Sequence, residues 1–535
     1  MMMKRRTALA GLSGLLATPA FAAVSAADRS RYASVFDKPL IAEMAAREKD
    51  WRIGGIVYQV LVDRFAPSRH LDAKRALYPA PKRLRDWSET PKAGTYLESE
   101  KLWSHEIDFW GGDIDSVASK LDYIEQLGAD VLYLNPIHSA YTNHKYDALD
   151  YKGVSPEFGT RDDVKKLAAE AHRRGMKFVL DGVFNHMGRN SPFFKSAEAD
   201  PKSPYRHWFD FNKSYKGGAR AWVGAQNLPE LNLENPEVQK YVWGAPDSVV
   251  RGWLRDGVDG WRLDVGFEIG PALLGELTKA AHAQKPGSLV LGEVANYPRD
   301  WFPALDGILG FALRRIMISL ASGQLSADQG SRWIARMIEE TGVEHMMRSW
   351  IYLDNHDMPR LATTLPDRSQ ARLAQLLMFT LPGSPNIYYG SELGMAGGED
   401  PEMRAPMRWD LVRDDNEVLN FTRKLIKLRK ARRALRIGNY RPLDTQGLLA
   451  FERYTERALD AVVTVFNFSD QEVEQRLLLP DGKQMDGSRW IDQLTGTVFY
   501  MSSALMTVKL PPRSALILTP EGAVVDGYTN YKRVL

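Results

Sequence analysis

The chain has 535 residues, 44% hydrophobic and 26% charged, an ordinary globular composition long enough for about three domains. Setting aside Lys4, Arg5 and Arg6 of an N-terminal leader leaves 67 basic against 67 acidic side chains, which gives no electrostatic reason for a nucleic-acid or anionic-membrane partner. The lack of any cysteine excludes disulfides, thiolate metal sites and cysteine nucleophiles.

Residues 1–22 read as an export signal: a basic start at Lys4-Arg-Arg6, an apolar stretch rich in Ala, Gly and Leu, and a small-residue exit at Ala20-Phe-Ala22. The expected location is periplasmic or secreted, with no membrane contact after cleavage, since no other segment is long and apolar enough to span. Arg5-Arg6 with Leu9 resembles a twin-arginine signal, from which Lys4 and Ala8 depart. Residues 23–50 form a lead-in, helical over Pro39–Lys49.

From residue 51 to about 437, strand and helix signals alternate. The expected strands are Ile56–Val62, Val131–Leu134, Lys177–Val183, Gly260–Val265, Leu289–Val294, a weak one near Gly307–Leu313, Trp350–Asn355 and Asn386–Tyr389. Between them lie helices such as Thr160–Arg174, which opens with Thr160 as N-cap and Asp163 three residues on and stops at Gly175. Eight β/α alternations predict an α/β fold, a (β/α)8 TIM barrel. Residues 66–110, after the first strand, form a long insert rich in proline and charge. Residues 187–236, after the third, form an aromatic-rich insertion, so the barrel divides into 51–186 and 237–437. From 438 to 535 short alternating strands (449–454, 461–468, 498–501, 506–510 and 515–518) predict a C-terminal antiparallel β-sandwich domain.

Four barrel segments end in acids set in polar company: Phe178-Val-Leu-Asp-Gly-Val-Phe-Asn-His186, Gly260-Trp-Arg-Leu-Asp264, Leu289-Val-Leu-Gly-Glu293 and Trp350-Ile-Tyr-Leu-Asp-Asn-His-Asp357. Buried carboxylates are costly unless paired, so acids repeated at strand ends point to catalysis on the C-terminal face of the barrel. In this order the segments resemble the four conserved regions of the α-amylase family of glycoside hydrolases (family 13), over about Trp51 to Asp410. Val57-Tyr-Gln-Val-Leu-Val-Asp-Arg-Phe65, Leu228-Pro-Glu-Leu-Asn232, Gly260-Trp-Arg-Leu-Asp-Val265 and Gly397-Gly-Glu-Asp-Pro-Glu-Met-Arg404 resemble its neopullulanase and cyclomaltodextrinase branch. The lead-in is too short for the extra N-terminal β domain of many cyclomaltodextrinases, so their dimeric architecture is not carried over. The insertion 187–236 stands where the family has its domain B.

The resemblance implies a retaining α-glucan hydrolase acting on malto-oligosaccharides, cyclodextrins, or starch and pullulan fragments. Such chemistry needs one carboxylate to attack the anomeric carbon and one carboxyl to protonate the leaving oxygen. Asp264 is the expected nucleophile. Arg262, two residues earlier on the strand, points to the same side and is expected to lower the Asp264 pKa. Glu293 is the expected general acid/base, in apolar surroundings that favour its protonated form. Asp357 is the third carboxylate and His356 grips sugar hydroxyls with it; taken alone, Asp357 before Pro359 also reads as a helix N-cap. His186 is expected to bond the sugar at the cleavage subsite, Tyr146 to stack under it beside His144, and Asp181 and Asn185 to support the site. Asp400 and Arg404 resemble the pair that closes the non-reducing side, or form a loop salt bridge. Phe267 stands where relatives have a polar Asn, with Glu268 after it, and Val294-Ala-Asn-Tyr297 departs from the branch's aromatic-His continuation.

No cofactor is required. Calcium is left open: the stretch 66–72, where many relatives bind it, has too few oxygen ligands and contains Arg69, which leaves Asn143 with Asp147, or Asp113 with Asp115. Two other readings use the same residues, a transglycosylase that excludes water from the intermediate, and a catalytically dead glycan-binding protein on the same barrel.

Overall fold

A computed structural model describes residues 37–522, with the backbone of two short strands at Val524–Val525 and Tyr528–Thr529. The leader and the start of the lead-in lie outside the described residues. Eight parallel strands close a barrel: β1 (Val57–Val60), β2 (Val131–Leu134), β3 (Lys177–Gly182), β4 (Gly260–Leu263), β5 (Leu289–Val294), β6 (Gly307–Gly310), β7 (Trp350–Ile351) and β8 (Ser384–Tyr388). Each pairs with its neighbour in sequence, and β8 closes on β1 through Val57↔Asn386. Alternation along the strands sends one set of side chains, including Val57, Tyr133, Val179, Leu291 and Trp350, into the barrel's own core, and the other set against the surrounding helices.

The expected strands are all present, and their lengths differ for local reasons. β6 stops at Gly310 because Phe311 opens the helix Phe311–Ala321. β7 has two residues rather than six, so residues 352–357 lie outside the sheet, with Tyr352 still in the barrel core. The helix after Thr160 runs Arg161–Arg173 with the expected reciprocal cap: the Asp163 N–H donates to the Thr160 hydroxyl and the Asp163 carboxylate takes the Thr160 N–H.

The C-terminal domain has eight antiparallel strands, three more than the sequence suggests: β9 (Asn439–Leu443), β10 (Leu449–Tyr454), β11 (Val462–Asn467), β12 (Val473–Leu478), β13 (Arg489–Asp492), β14 (Val498–Ser502), β15 (Leu505–Leu510) and β16 (Ser514–Pro520). Their order is β9-β10-β11-β16-β13-β14-β15-β12. The two ends meet, with Gln475 donating to the Gln446 carbonyl and Arg441 to that of Pro480, so the sheet folds over one shared core in two layers. The three unexpected strands lack a clean signal: β9 contains Pro442 and lies at an edge, β12 alternates with Glu474 and Arg476, and β13 is four residues long. Fully buried Arg453 joins the domain to the barrel by donating to the Thr380 carbonyl.

His138 is fully buried, its ring stacked 6.3 Å from Trp261 with Tyr151 and Trp253 at its edges. Burial lowers its pKa to about 4. Between pH 6.5 and 4 the unfolded chain therefore binds the extra proton, so this contribution to stability is complete above the ordinary histidine pKa and is lost as pH falls towards 4. In urea unfolding, wild type should lose about 3 kcal/mol more than a His138→Leu variant between pH 7 and pH 4. Equal losses would show that His138 is not held neutral.

Candidate active site

The centre of the site is a buried guanidinium with carboxylates around it. On β4, Arg262 lies in register with Asp181 on β3. Its Nη1 donates to Asp181 Oδ1 at 2.9 Å and to Asp264 Oδ1 at 3.0 Å, and its Nη2 lies 2.9 Å from Glu293 Oε2. Asp181 also accepts the hydroxyls of Tyr133 at 2.6 Å and Tyr146 at 3.1 Å. Its carboxylate thus bonds Arg262, Tyr133 and Tyr146 at once. Glu293 has a cation and a backbone N–H at its carboxylate rather than the apolar surroundings that Leu289-Val-Leu suggested.

That N–H belongs to Val265, which donates to Glu293 Oε2 at 3.0 Å. Val265 has φ +48°, a left-handed conformation that costs a β-branched residue on the order of 1–3 kcal/mol and is found at functional sites. The turn it makes directs its N–H towards the acid on the next strand. Gly266 follows, where a Cβ would stand 3.2 Å from the Glu293 carbonyl.

The charge balance corrects one expectation. Burial pushes the Asp264 carboxyl well above its ordinary range; Arg262 opposes this, but Glu293, Asp181 and Asp357 add to it. One guanidinium does not offset the desolvation and three further acids, so the net shift of Asp264 is upward rather than downward. Asp357 goes the other way: burial would raise it, and His356, Arg404 and Arg262 together hold it well below the carboxylate range. Asp357 does not cap a helix, for in the next one (Leu361–Thr364) the Leu361 N–H donates to Asp354. Its carboxylate instead meets Arg404 at 3.1 Å and His356 at 3.0 Å. Arg404 also pairs with Asp400 at 3.2 Å, so the salt bridge exists and leads directly to the third acid.

Tyr146 and His356 lie with ring planes 4° apart and centroids 5.3 Å apart, and the Tyr146 hydroxyl bonds His356 Nε2. The sequence reading missed what holds them. Gln59 on β1 and Asn135 after β2 donate to His356 Nδ1 at 2.9 and 3.1 Å, leaving Nε2 to carry the hydrogen. His144 Nδ1 takes the Tyr146 N–H, while its Nε2 meets Glu106 of the first insert at 3.1 Å. Gln59 lies inside the quoted motif Val57–Phe65; Glu106 lies in a loop where no spacing rule marks it.

His186 is fully buried under Trp222 of the second insertion, with centroids 5.5 Å apart. Burial lowers its pKa to about 3, so it meets any ligand as a neutral ring. Asn185 bonds Glu268 at 3.4 Å rather than any of the central acids. For calcium the proposed carboxylates are already engaged by protein donors, and the Asn143 amide is held by its nitrogen. Asp113 caps a helix and pairs with Lys74 at 2.8 Å, Asp115 pairs with Arg69, the Asn143 amide donates to two backbone carbonyls, and Asp147 accepts from Thr142. These residues do not fit a calcium site.

A cation gripping two carboxylates at the mouth of a parallel barrel, with a third acid and histidine rings around them, suits substitution at an acetal carbon. The family model of the alpha-amylase catalytic domain matches residues 59–438. Neopullulanase 2 of Thermoactinomyces vulgaris is 31% identical over 483 residues, 88% of this chain and 78% of that protein. A cyclomaltodextrinase of Geobacillus thermopakistaniensis is 30% identical, with the same coverage of each chain. The type III pullulan hydrolase of Thermococcus kodakarensis superposes with a TM-score of 0.76 at 29% identity, covering 88% of this chain and 82% of that one.

Proposed function

Because the chain belongs to the α-amylase family, we propose that it is a retaining hydrolase of α-1,4-glucosidic bonds, acting on malto-oligosaccharides, cyclodextrins, or starch and pullulan fragments. The observation that carries this reading is the single guanidinium of Arg262 shared by Asp264 and Glu293. Holding both groups on one fork suits the close carboxyl spacing of retaining enzymes, about 5–5.5 Å.

Asp264 attacks the anomeric carbon while Glu293 gives its proton to the departing glycosidic oxygen, and the C–O bond breaks to leave a glycosyl-Asp264 ester. Glu293 then takes a proton from water, whose oxygen displaces Asp264 and restores the starting state. Asp357 and His356 hold hydroxyls of the cleaved sugar, His186 adds a neutral hydrogen-bonding ring, and Tyr146 offers an aromatic face to the sugar's C–H surface. The names of the relatives support cyclodextrin and pullulan as substrates.

Incubation of the protein with β-cyclodextrin, maltoheptaose, pullulan, soluble starch and sucrose, with products followed by chromatography, tests the reading. Turnover of cyclodextrin or pullulan faster than starch is expected. Products longer than the substrate would establish transfer to sugar acceptors, and no α-glucan turnover would overturn the hydrolase reading. The leader supports export as part of the same proposal; a precursor with Arg5 and Arg6 both changed to Lys should stay in the cytoplasm if the route is twin-arginine.

A further inference from the structure

The insert 66–110 belongs to none of the conserved segments, yet it is anchored beside the catalytic acids. Asp63 accepts the N–H groups of Trp110 and Gly111 at the end of the insert, and a Cβ on the adjoining Gly112 would stand 2.2 Å from the Val62 carbonyl. Within the insert, Tyr96–Leu97 pairs with Leu102–Trp103 as a hairpin. The alternation buries Leu102 in a small core and turns Trp103 outward, 49% exposed.

Trp103 is exposed but fixed. Tyr96 meets its ring edge-on at 5.6 Å and His105 stacks on it at 6.3 Å and 25°, while the Trp103 backbone N–H donates to the Glu106 carboxylate. His105 Nδ1 accepts the Gly94 N–H at 3.0 Å, so the hydrogen resides on Nε2. That Nε2 faces Asp400 Oδ2 at 3.6 Å, too far for a hydrogen bond. Asp400 reaches Asp357 through Arg404. An indole face and polar groups with unused bonding capacity thus continue outward from the third catalytic acid.

We propose that Trp103, with His105 and Asp400, forms an additional sugar subsite that stacks a glucosyl unit of the substrate beyond the Asp400–Arg404 pair. The flat indole covers the sugar's C–H face, and His105 Nε2–H and Asp400 bond its hydroxyls. The inference rests on the α-glucan hydrolase reading and adds a determinant of chain length supplied by this insert.

The test is the ratio of kcat/KM for maltoheptaose to that for maltotriose. Trp103→Ala should lower the ratio roughly tenfold through KM for the longer sugar, and Trp103→Phe should retain most of it. Trp103→Leu, which keeps apolar bulk without the flat face, should behave like alanine and guards against a loosened hairpin. In an Asp264→Asn background, maltoheptaose should perturb tryptophan fluorescence more with Trp103 present than with Trp103→Phe. An unchanged ratio in the alanine and leucine variants overturns the subsite while leaving the hydrolase reading intact. A wild-type protein that cleaves neither sugar overturns both.

Discussion

Asp264→Asn should lower kcat on maltoheptaose or β-cyclodextrin by about 10,000-fold or more, with little change in the unfolding midpoint at neutral pH. The amide keeps the shape of the side chain and can still accept the Arg262 hydrogen bond, but it lacks the charge to form the ester. Stability is expected to hold because the cluster carries more acids than its nearest cation offsets, so losing one relieves repulsion among those that remain. Glu293→Gln provides the complementary measurement. With an α-maltosyl fluoride, whose leaving group needs no proton, this variant should form the glycosyl-enzyme and resolve it slowly. Intact-protein mass spectrometry should then show one added maltosyl group, mapped by peptide digestion to Asp264. An adduct on another residue, or Asp264→Asn retaining activity within tenfold, would remove Asp264 as the nucleophile.

Barrel strands and their terminal acids were legible because two signals coincide there: short β-branched runs predict buried parallel strands, and an acid at the end of such a run has no packing explanation. Alternation put Arg262 and Asp264 on the same side of one strand, while their roles and the place of Asp181 beside them came from the resemblance to the family's conserved segments. The direction of the Asp264 shift was misread because the sequence shows the guanidinium two residues away but not the desolvation or the acids from three other strands. Glu106, His105 and Trp103 were missed for a different reason. They lie in a loop whose path is set by anchors such as Asp63 and Gly112, and neither periodicity nor spacing reveals which rim of the cleft it reaches. The short length of β7 was equally hidden, since Trp350–Leu353 reads as apolar strand throughout while the chain leaves the sheet to present His356 and Asp357.

Arg262→Met is the second large effect, and it should separate stability from catalysis. Arg262 is fully buried and is the cation that Asp181, Asp264 and Glu293 share. Removing one partner of a buried ion pair typically costs about 3–5 kcal/mol, because the other charge is left uncompensated. Part of that loss should return on acidification. Without the guanidinium the three carboxyls bind protons more tightly folded than unfolded, so their penalty is greatest above the folded pKa values and shrinks as pH falls through them. The gap between wild type and variant in urea unfolding should therefore narrow from pH 8 to pH 5. Adding Asp181→Asn should recover part of the loss without restoring turnover, since it removes a buried charge but does not replace the fork joining nucleophile and acid. Arg262→Lys sharpens the distinction: one ammonium restores the charge and much of the stability, yet it cannot span Asp264 and Glu293 as two guanidinium nitrogens do, and kcat should stay on the order of 1,000-fold down. If lysine restores activity as fully as stability, Arg262 supplies charge alone, and the shared fork is not what aligns the two carboxylates.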